Sequence, residues 1–418
     1  MNLKLSSAIL FVLITGGFIS GCSMQLISSR ISSPKGGGST AATSSVGTCS
    51  TPFTPSTGMA AQVVVGQASM TASAPDAGGT TNSIGLNGPE EAMVLSTGQL
   101  VVSEWVNHRY LFFDTVPTAN GTPADYVWGQ PDFLTNTANT GGLGPTSMQT
   151  GRRVAWNGTQ FFMTDAYNHR VLVFNAIPTS PASVPAYVLG QPNMFSNTIN
   201  SGGRSANSIY SYHGSLFADS TRLVVTDAYN NRILIYNLPI TGNMQAANVV
   251  VGQPDFLNDV YLKPPTAASM DMPQHAIIAA GKLIVADRRN NRVTIFNSVP
   301  TSNGASADVA VGQPDLVSYF TGTTATSMDQ PHSVAVDAAG RLYVSDTSNN
   351  RVLVFNSIPT VSGASADMVI GQTIFTSKLA NQGGANPTAS TLSRPNGIDV
   401  TNCNLFVTDT TNSRILVY

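Results

Sequence analysis

Asp346-Thr-Ser-Asn-Asn-Arg-Val-Leu-Val-Phe355 joins a polar turn to an apolar strand, and the chain repeats this pairing six times. An acidic residue, an asparagine and an arginine recur as Glu104/Asn107/Arg109, Asp165/Asn168/Arg170, Asp227/Asn230/Arg232, Asp287/Asn290/Arg292, Asp346/Asn349/Arg351 and Asp409/Asn412/Arg414. The arginines lie 61, 62, 60, 59 and 63 residues apart. A second marker, Gly-Gln after an apolar run, keeps the same rhythm at Gly66-Gln67, Gly129-Gln130, Gly190-Gln191, Gly252-Gln253, Gly312-Gln313 and Gly371-Gln372. Self-similarity at such a period is the mark of a repeat architecture.

Each unit carries four strand signals. In the fifth, Ser333-Val-Ala-Val336 is a short apolar run and Arg341-Leu-Tyr-Val-Ser345 alternates. The turn Asp346-Thr-Ser-Asn-Asn350 follows, built of residues that tolerate tight backbones. Arg351–Phe355 and Ala366-Asp-Met-Val-Ile-Gly371 complete the unit. No stretch has a helical period. The expected fold is all-β: a six-bladed β-propeller with four antiparallel strands per blade. The last unit stops at Arg414-Ile-Leu-Val-Tyr418, its third strand, whereas an unpartnered fourth strand, Gln62-Val-Val-Val-Gly66, precedes the first full unit. The strand at 62–66 is therefore expected to complete the last blade, a 3+1 closure that removes the exposed sheet edge.

The repeated Asp-x-x-Asn-(Asn/His)-Arg-Val-Leu-Val-Phe string resembles the NHL (Asn-His-Leu) repeat, most closely at Asn168-His-Arg-Val-Leu-Val-Phe174 and Asn350-Arg-Val-Leu-Val-Phe355. Gln330-Pro-His-Ser-Val-Ala-Val-Asp337 resembles that family's first strand. The resemblance spans nearly all of residues 61–418. It implies a propeller but no single function, since proteins with this repeat include RNA-binding modules, protein-interaction modules and an amidating lyase. The chain departs from the family in a long insert after each Gly-Gln, rich in Asn, Thr, Gly and Ser, as in Thr135-Asn-Thr-Ala-Asn-Thr-Gly-Gly142 and Ser196-Asn-Thr-Ile-Asn-Ser-Gly-Gly203.

Before the repeats, Lys4 and the apolar run Ala8-Ile-Leu-Phe-Val-Leu-Ile14 read as a secretory leader, too short for a permanent span. The leader ends in Ile19-Ser-Gly-Cys22, which resembles a bacterial lipobox. The expectation is a lipoprotein signal peptide at 1–21, lipidation of Cys22, a flexible Ser/Gly/Thr/Pro tether over 22–60 and the propeller over 61–418. The absence of Asp after Cys22 implies, by that resemblance, sorting to the outer membrane, with either side of it open. Only 10% of residues are charged, against about 25% in ordinary soluble domains. The net charge of −2 provides no basic field for phosphate backbones, so nucleic acid is not an expected partner. Cys49 and Cys403 are the candidate disulfide in an oxidising compartment, the alternative being two separate thiols.

The acidic residue and arginine of the turn recur in every blade, so they are expected to brace the hairpin or the neighbouring blade rather than to catalyse. His108 and His169 fall inside the same turn. The first strand of a blade lines the central channel in this fold. The residues entering it are Glu90 or Glu91, Arg152 or Arg153, His213, His275 (or Gln274), His332 and Asn396. Of these, Glu90, Arg152, His213, His275, His332 and Asn396 are the candidate channel-mouth residues. Three imidazoles suffice for an open zinc site, and the amidating lyase of the family holds zinc with channel histidines, which makes His213, His275 and His332 candidate metal ligands. The alternative is three polar groups hydrating a pore.

Two function classes result. The first is a monomeric binding scaffold of the cell envelope, held to the membrane by its lipid and recognising a protein, peptide or glycan through long polar loops on one face. The second is a metal-dependent lyase or hydrolase acting at the central channel. No catalytic residue is assigned, because no nucleophile elbow, phosphate-binding loop or His-Glu-x-x-His helix is present.

Overall fold

A run such as Arg351-Val-Leu-Val-Phe355 is apolar at successive positions, not alternate ones, because both faces of its sheet are covered. The computed structural model describes residues 52–418 and shows this arrangement: six four-stranded antiparallel sheets placed radially. Blade one comprises Pro89–Val94, Leu100–Glu104, Arg109–Phe113 and Tyr126–Trp128; blade two, Gly151–Trp156, Phe161–Asp165, Arg170–Phe174 and Tyr187–Leu189. Blade three comprises Leu216–Ala218, Arg222–Asp227, Arg232–Asn237 and Val249–Val251; blade four, His275–Ala279, Lys282–Asp287, Arg292–Phe296 and Val309–Val311. Blade five is Pro331–Val336, Leu342–Asp346, Arg351–Phe355 and Met368–Ile370. Blade six takes Pro395–Val400, Leu405–Asp409 and Arg414–Val417 from the end of the chain and Val63–Val65 as its outer strand.

The closure register is Val63 opposite Val417, Val64 opposite Leu416 and Val65 opposite Ile415. Phe53, upstream of this strand, donates its backbone N–H to Asn402 O at 2.9 Å, which lays the incoming chain against the turn that holds Cys403. Cys403 is disulfide-bonded; Cys22 and Cys49, with the leader and most of the tether, lie outside the described residues.

The core consists of six apolar clusters, and each contains residues of two adjacent blades. Between blades four and five, for example, Ile284, Val293 and Ile295 meet Val334, Val344 and Leu353. Each fully buried aliphatic side chain contributes roughly 1.5–3 kcal/mol, so the blade interfaces, not the individual sheets, hold most of the apolar stabilisation. Among the described residues the only helical elements are 3₁₀ turns of three or four residues, and no helix is long and apolar enough to cross a membrane.

The recurrent polar residues tie the inserts to this frame. Asp346 Oδ2 accepts hydrogen bonds from Arg351 Nε at 2.7 Å and Asn349 Nδ2 at 2.8 Å, while its Oδ1 accepts the backbone N–H of Asp329 at 2.7 Å. Arg351 Nη2 donates to the carbonyls of Thr324 and Ser327, at 2.9 and 3.0 Å, in the preceding insert, and Nη1 donates to the carbonyl of Phe375 in the next. The acid–arginine pair is fully buried in all six blades. The Gly-Gln marker has a related part. Gln313 Nε2 donates to Asn291 O at 2.9 Å and Phe320 O at 2.7 Å, pinning the insert to the turn of its own blade. Gly312 has φ +86°, and a Cβ there would meet the Met328 side chain at 2.8 Å. Both the left-handed backbone and the close approach call for glycine.

Candidate functional site

At the start of each first strand the side chains face the propeller axis. Five of the six candidate residues, Glu90, Arg152, His213, His332 and Asn396, line one open cavity of about 450 Å³. Arg152 Nη1 meets the Glu90 carboxylate at 2.6 Å, and Asn396 Nδ2 donates to the same Oε1 at 3.3 Å. The Arg152 guanidinium also lies 6.0 Å from the Trp105 ring centroid. His213 stacks on Tyr229 with 5.8 Å between centroids.

Both mouth histidines are neutral. Burial holds the His213 imidazole down to about 3, with Arg152, Arg288 and Arg289 adding repulsion. Burial also holds His332 well below the usual histidine range, reinforced by Arg288, Arg153, Arg152 and His213. Glu90 Oε2, Arg152 Nε, His213 Nδ1, Arg288 Nε, His332 Nδ1 and Asn396 Oδ1 are buried polar atoms without a hydrogen-bond partner in the protein. All six residues line the cavity.

His275 is not at the mouth. Pro273 of blade four occupies the place of Pro331 in blade five, so Gln274 corresponds to His332 and His275 to Ser333. The single-residue offset turns the imidazole down the axis, because successive strand residues face opposite ways. There it joins a buried layer. Arg153 Nη1 donates to Glu91 Oε1 at 2.8 Å and lies 3.4 Å from His275 Nε2, while Nη2 donates to Ser333 Oγ at 2.7 Å. His275 Nδ1 accepts the Val334 N–H at 3.3 Å and contacts Ser333 Oγ at 3.2 Å. Burial first, then Arg153, keeps this imidazole well below the usual range. Beneath the layer is a mainly apolar chamber of about 180 Å³, walled by residues such as Met93, Phe217, Ile277 and Val334.

The three histidines therefore do not converge. Among the described residues no group of three or more His, Cys, Asp or Glu side chains is placed to hold a metal ion. The three candidate ligands stand as two neutral imidazoles at the mouth and one in an arginine-centred layer.

The mouth also contains residues that the first-strand reading missed: Trp105, Tyr167, Arg288 and Arg394. The first three occupy the variable positions of the Asp-x-x-Asn turn, and Arg394 precedes the first strand of blade six. For Trp105, Tyr167 and Arg288 the signal lay in the two positions between the acid and the asparagine, which the repeat leaves variable.

A second surface lies on the inserts, and it is not uniformly polar. The third residue after Gln packs inward, as Phe133, Met194, Phe256 and Leu316 do. The fourth points out: Leu134, Phe195, Leu257 and Val317 are 71, 70, 66 and 53% exposed. Each outward residue is held by the Asp or Asn two positions before it, whose side chain accepts its N–H at 2.8–2.9 Å (Asp132, Asn193, Asp255 and Asp315).

Residues 328–355 match the family model described as the NHL repeat. No curated protein is significantly similar in sequence. Among solved structures, a protein of unknown function from Bacteroides thetaiotaomicron is similar at 11% identity, covering 85% of this chain and 75% of that one, with a TM-score of 0.47. Virginiamycin B lyase from Staphylococcus aureus is similar at 12% identity over 79% of this chain and 94% of its own, TM-score 0.40. The β-propeller domain of Cps50 from Myceliophteria thermophila is similar at 9% identity over 81% and 98%, TM-score 0.43. The chain is a six-bladed β-propeller that carries an NHL repeat in its fifth blade.

Proposed function

We propose that the protein is a binding scaffold of the bacterial cell envelope, anchored to the outer membrane by lipid on Cys22 and docking a protein partner on its insert-bearing face. The observation that carries this reading is the set of outward apolar side chains at Leu134, Phe195, Leu257 and Val317. Single exposed hydrophobics are ordinary, but four at equivalent positions of successive blades, each backed by the same side-chain-to-backbone turn, form a patterned surface. A rigid frame presenting pinned loops limits the ordering cost of association. A disulfide between Cys49 and Cys403 is part of the proposal: Phe53, four residues after Cys49, is hydrogen-bonded to the neighbour of Cys403, and Cys22 is committed to lipid.

The test has two arms. Photo-crosslinkers placed at Leu134 and Leu257 in intact cells are expected to give a discrete protein adduct that is lost when Phe195 and Val317 are changed to Ser. Adducts no different from those of crosslinkers on the opposite face would overturn the scaffold reading. Metabolic labelling with a fatty acid should mark the wild-type chain and not Cys22→Ala; equal labelling of the two would overturn the anchor.

A further inference from the structure

We propose that the channel mouth is a binding site for a small carboxylate-bearing saccharide, separate from the insert surface. The first argument is charge. Arg152, Arg288 and Arg394 line the cavity with a single carboxylate, Glu90, and that carboxylate is paired with Arg152. Arg288 donates to the neutral Gln330 side chain at 2.7 Å, and neither it nor Arg394 has an ion-pair partner among the described residues. Two guanidinium groups thus face the same space without a direct ion pair. A planar fork of N–H donors matches a carboxylate in two-point fashion.

The second argument separates a hydroxylated acid from a bare anion. An inorganic anion calls for donors alone, yet the residues that wall this cavity include two buried acceptors without a protein partner, Glu90 Oε2 and Asn396 Oδ1. Glu90 and Asn396 are 4% and 6% exposed, so their acceptor atoms are held in the wall and not free to swing away. Arg152 Nε on the same wall is an unused donor. A mixture of fixed donors and acceptors suits hydroxyl groups, which do both, and buried polar atoms of this kind are satisfied in working proteins. The neutral imidazoles of His213 and His332 add groups that can donate or accept without bringing further charge.

The third argument is the wall itself. Trp105 and Tyr167 line the cavity, and Tyr212 supports Tyr167 edge-on at 4.7 Å. Tyr210 and Tyr229 extend this aromatic side, each 5.1–5.5 Å from Tyr212. Aromatic faces with a few placed polar groups are the usual make-up of a small-molecule site, and the cavity is large enough for one or more sugar rings.

Calorimetric titration of the purified full-length chain with glucuronate, glucose and inorganic phosphate tests the assignment. Glucuronate is expected to bind, with glucose and phosphate each at least tenfold weaker. The double variant Arg288→Gln/Arg394→Gln should lose tenfold or more in glucuronate affinity while keeping its thermal unfolding profile; should it fail to fold, Arg394→Gln alone, at an exposed position, is expected to lose threefold or more. Asn396→Ala should weaken glucuronate but not phosphate. No glucuronate binding, glucose binding as tightly, phosphate binding as tightly, or full affinity in a folded arginine variant would each overturn the proposal. The insert-tip serine variants should bind glucuronate normally, so the two sites fail independently.

Discussion

Arg153 Nη2 donates a hydrogen bond to Ser333 Oγ at 2.7 Å, and the two residues belong to blades two and five, which stand opposite each other in the ring. The same guanidinium is bonded to Glu91 of blade one and touches His275 of blade four. One side chain thus crosses the axis and links four of the six blades. Above about pH 7, where Glu91 is ionised, Arg153→Ala would leave its carboxylate buried without its counterion, a change that costs about 3–5 kcal/mol. Guanidinium unfolding should show that loss. The double variant Arg153→Leu/Glu91→Leu should recover most of it, because an apolar pair needs no desolvated charge. A single-variant loss below about 1 kcal/mol would mean that the axis is held by the blade interfaces alone.

The Glu91 carboxyl gives this layer a pH dependence. Burial raises it to about 7 from an ordinary 4.5, against the lowering effects of Arg153 and the Val154 N–H. Between those values the native state keeps a proton that the unfolded chain has released, so stability falls as pH rises through the window and is level on either side. The slope from one such group reaches at most about 1.4 kcal/mol per pH unit. Unfolding of the wild type compared with Glu91→Gln from pH 4 to pH 8 should show the wild type losing ground to the variant between pH 4.5 and 7. Parallel curves would place Glu91 at its unfolded-state pKa.

The acid–arginine pair of each blade holds backbone as well as charge. Arg351→Met should release the carbonyls of Thr324, Ser327 and Phe375, and leave Asp346 buried without its partner. The expected loss is again about 3–5 kcal/mol, with a local signature. Hydrogen exchange should quicken in the inserts at 314–328 and 373–380 before it does in the core strands. A uniform change over all blades would show the pair acting only on global stability.

The repeat, the blade count and the closure were legible because each is written in spacing: the six arginines mark the blades, and the orphan strand at Val63–Val65 has one place to go. The position of His275 was not legible, because a one-residue difference in the loop before blade four changes which side chain faces the mouth, and strand alternation turns a single-residue error into a reversal. The outward apolar tips were masked by the Asn, Thr and Gly around them, since composition averages over residues that point in opposite directions. Arg288 and Arg394 come from different elements of different blades, and only the ring brings them together.

The closing strand supplies the last expectation. Val64 is fully buried, pairs with Leu416, and packs in the same cluster as Tyr343 and Val354 of blade five, so it joins two blades as well as the two ends of the propeller. Val64→Asp places a carboxylate inside this apolar cluster, and burial of an unpaired charge is among the few single changes that cost more than about 4 kcal/mol. Upstream, the chain is held at Phe53 to Asn402 and to Arg341, whose Nη2 donates to Phe53 O at 2.7 Å. With Cys49 bonded to Cys403, this entry would remain tethered even when the strand itself is weakened. Non-reducing peptide mapping should recover Cys49 linked to Cys403. Reduction should then speed amide exchange at Val63–Val65 and Arg414–Val417 more than in the strands of blade three, and should do so more strongly in Val64→Ala than in the wild type. A peptide map with Cys49 unlinked, or exchange insensitive to reduction, would leave closure to the strand register alone.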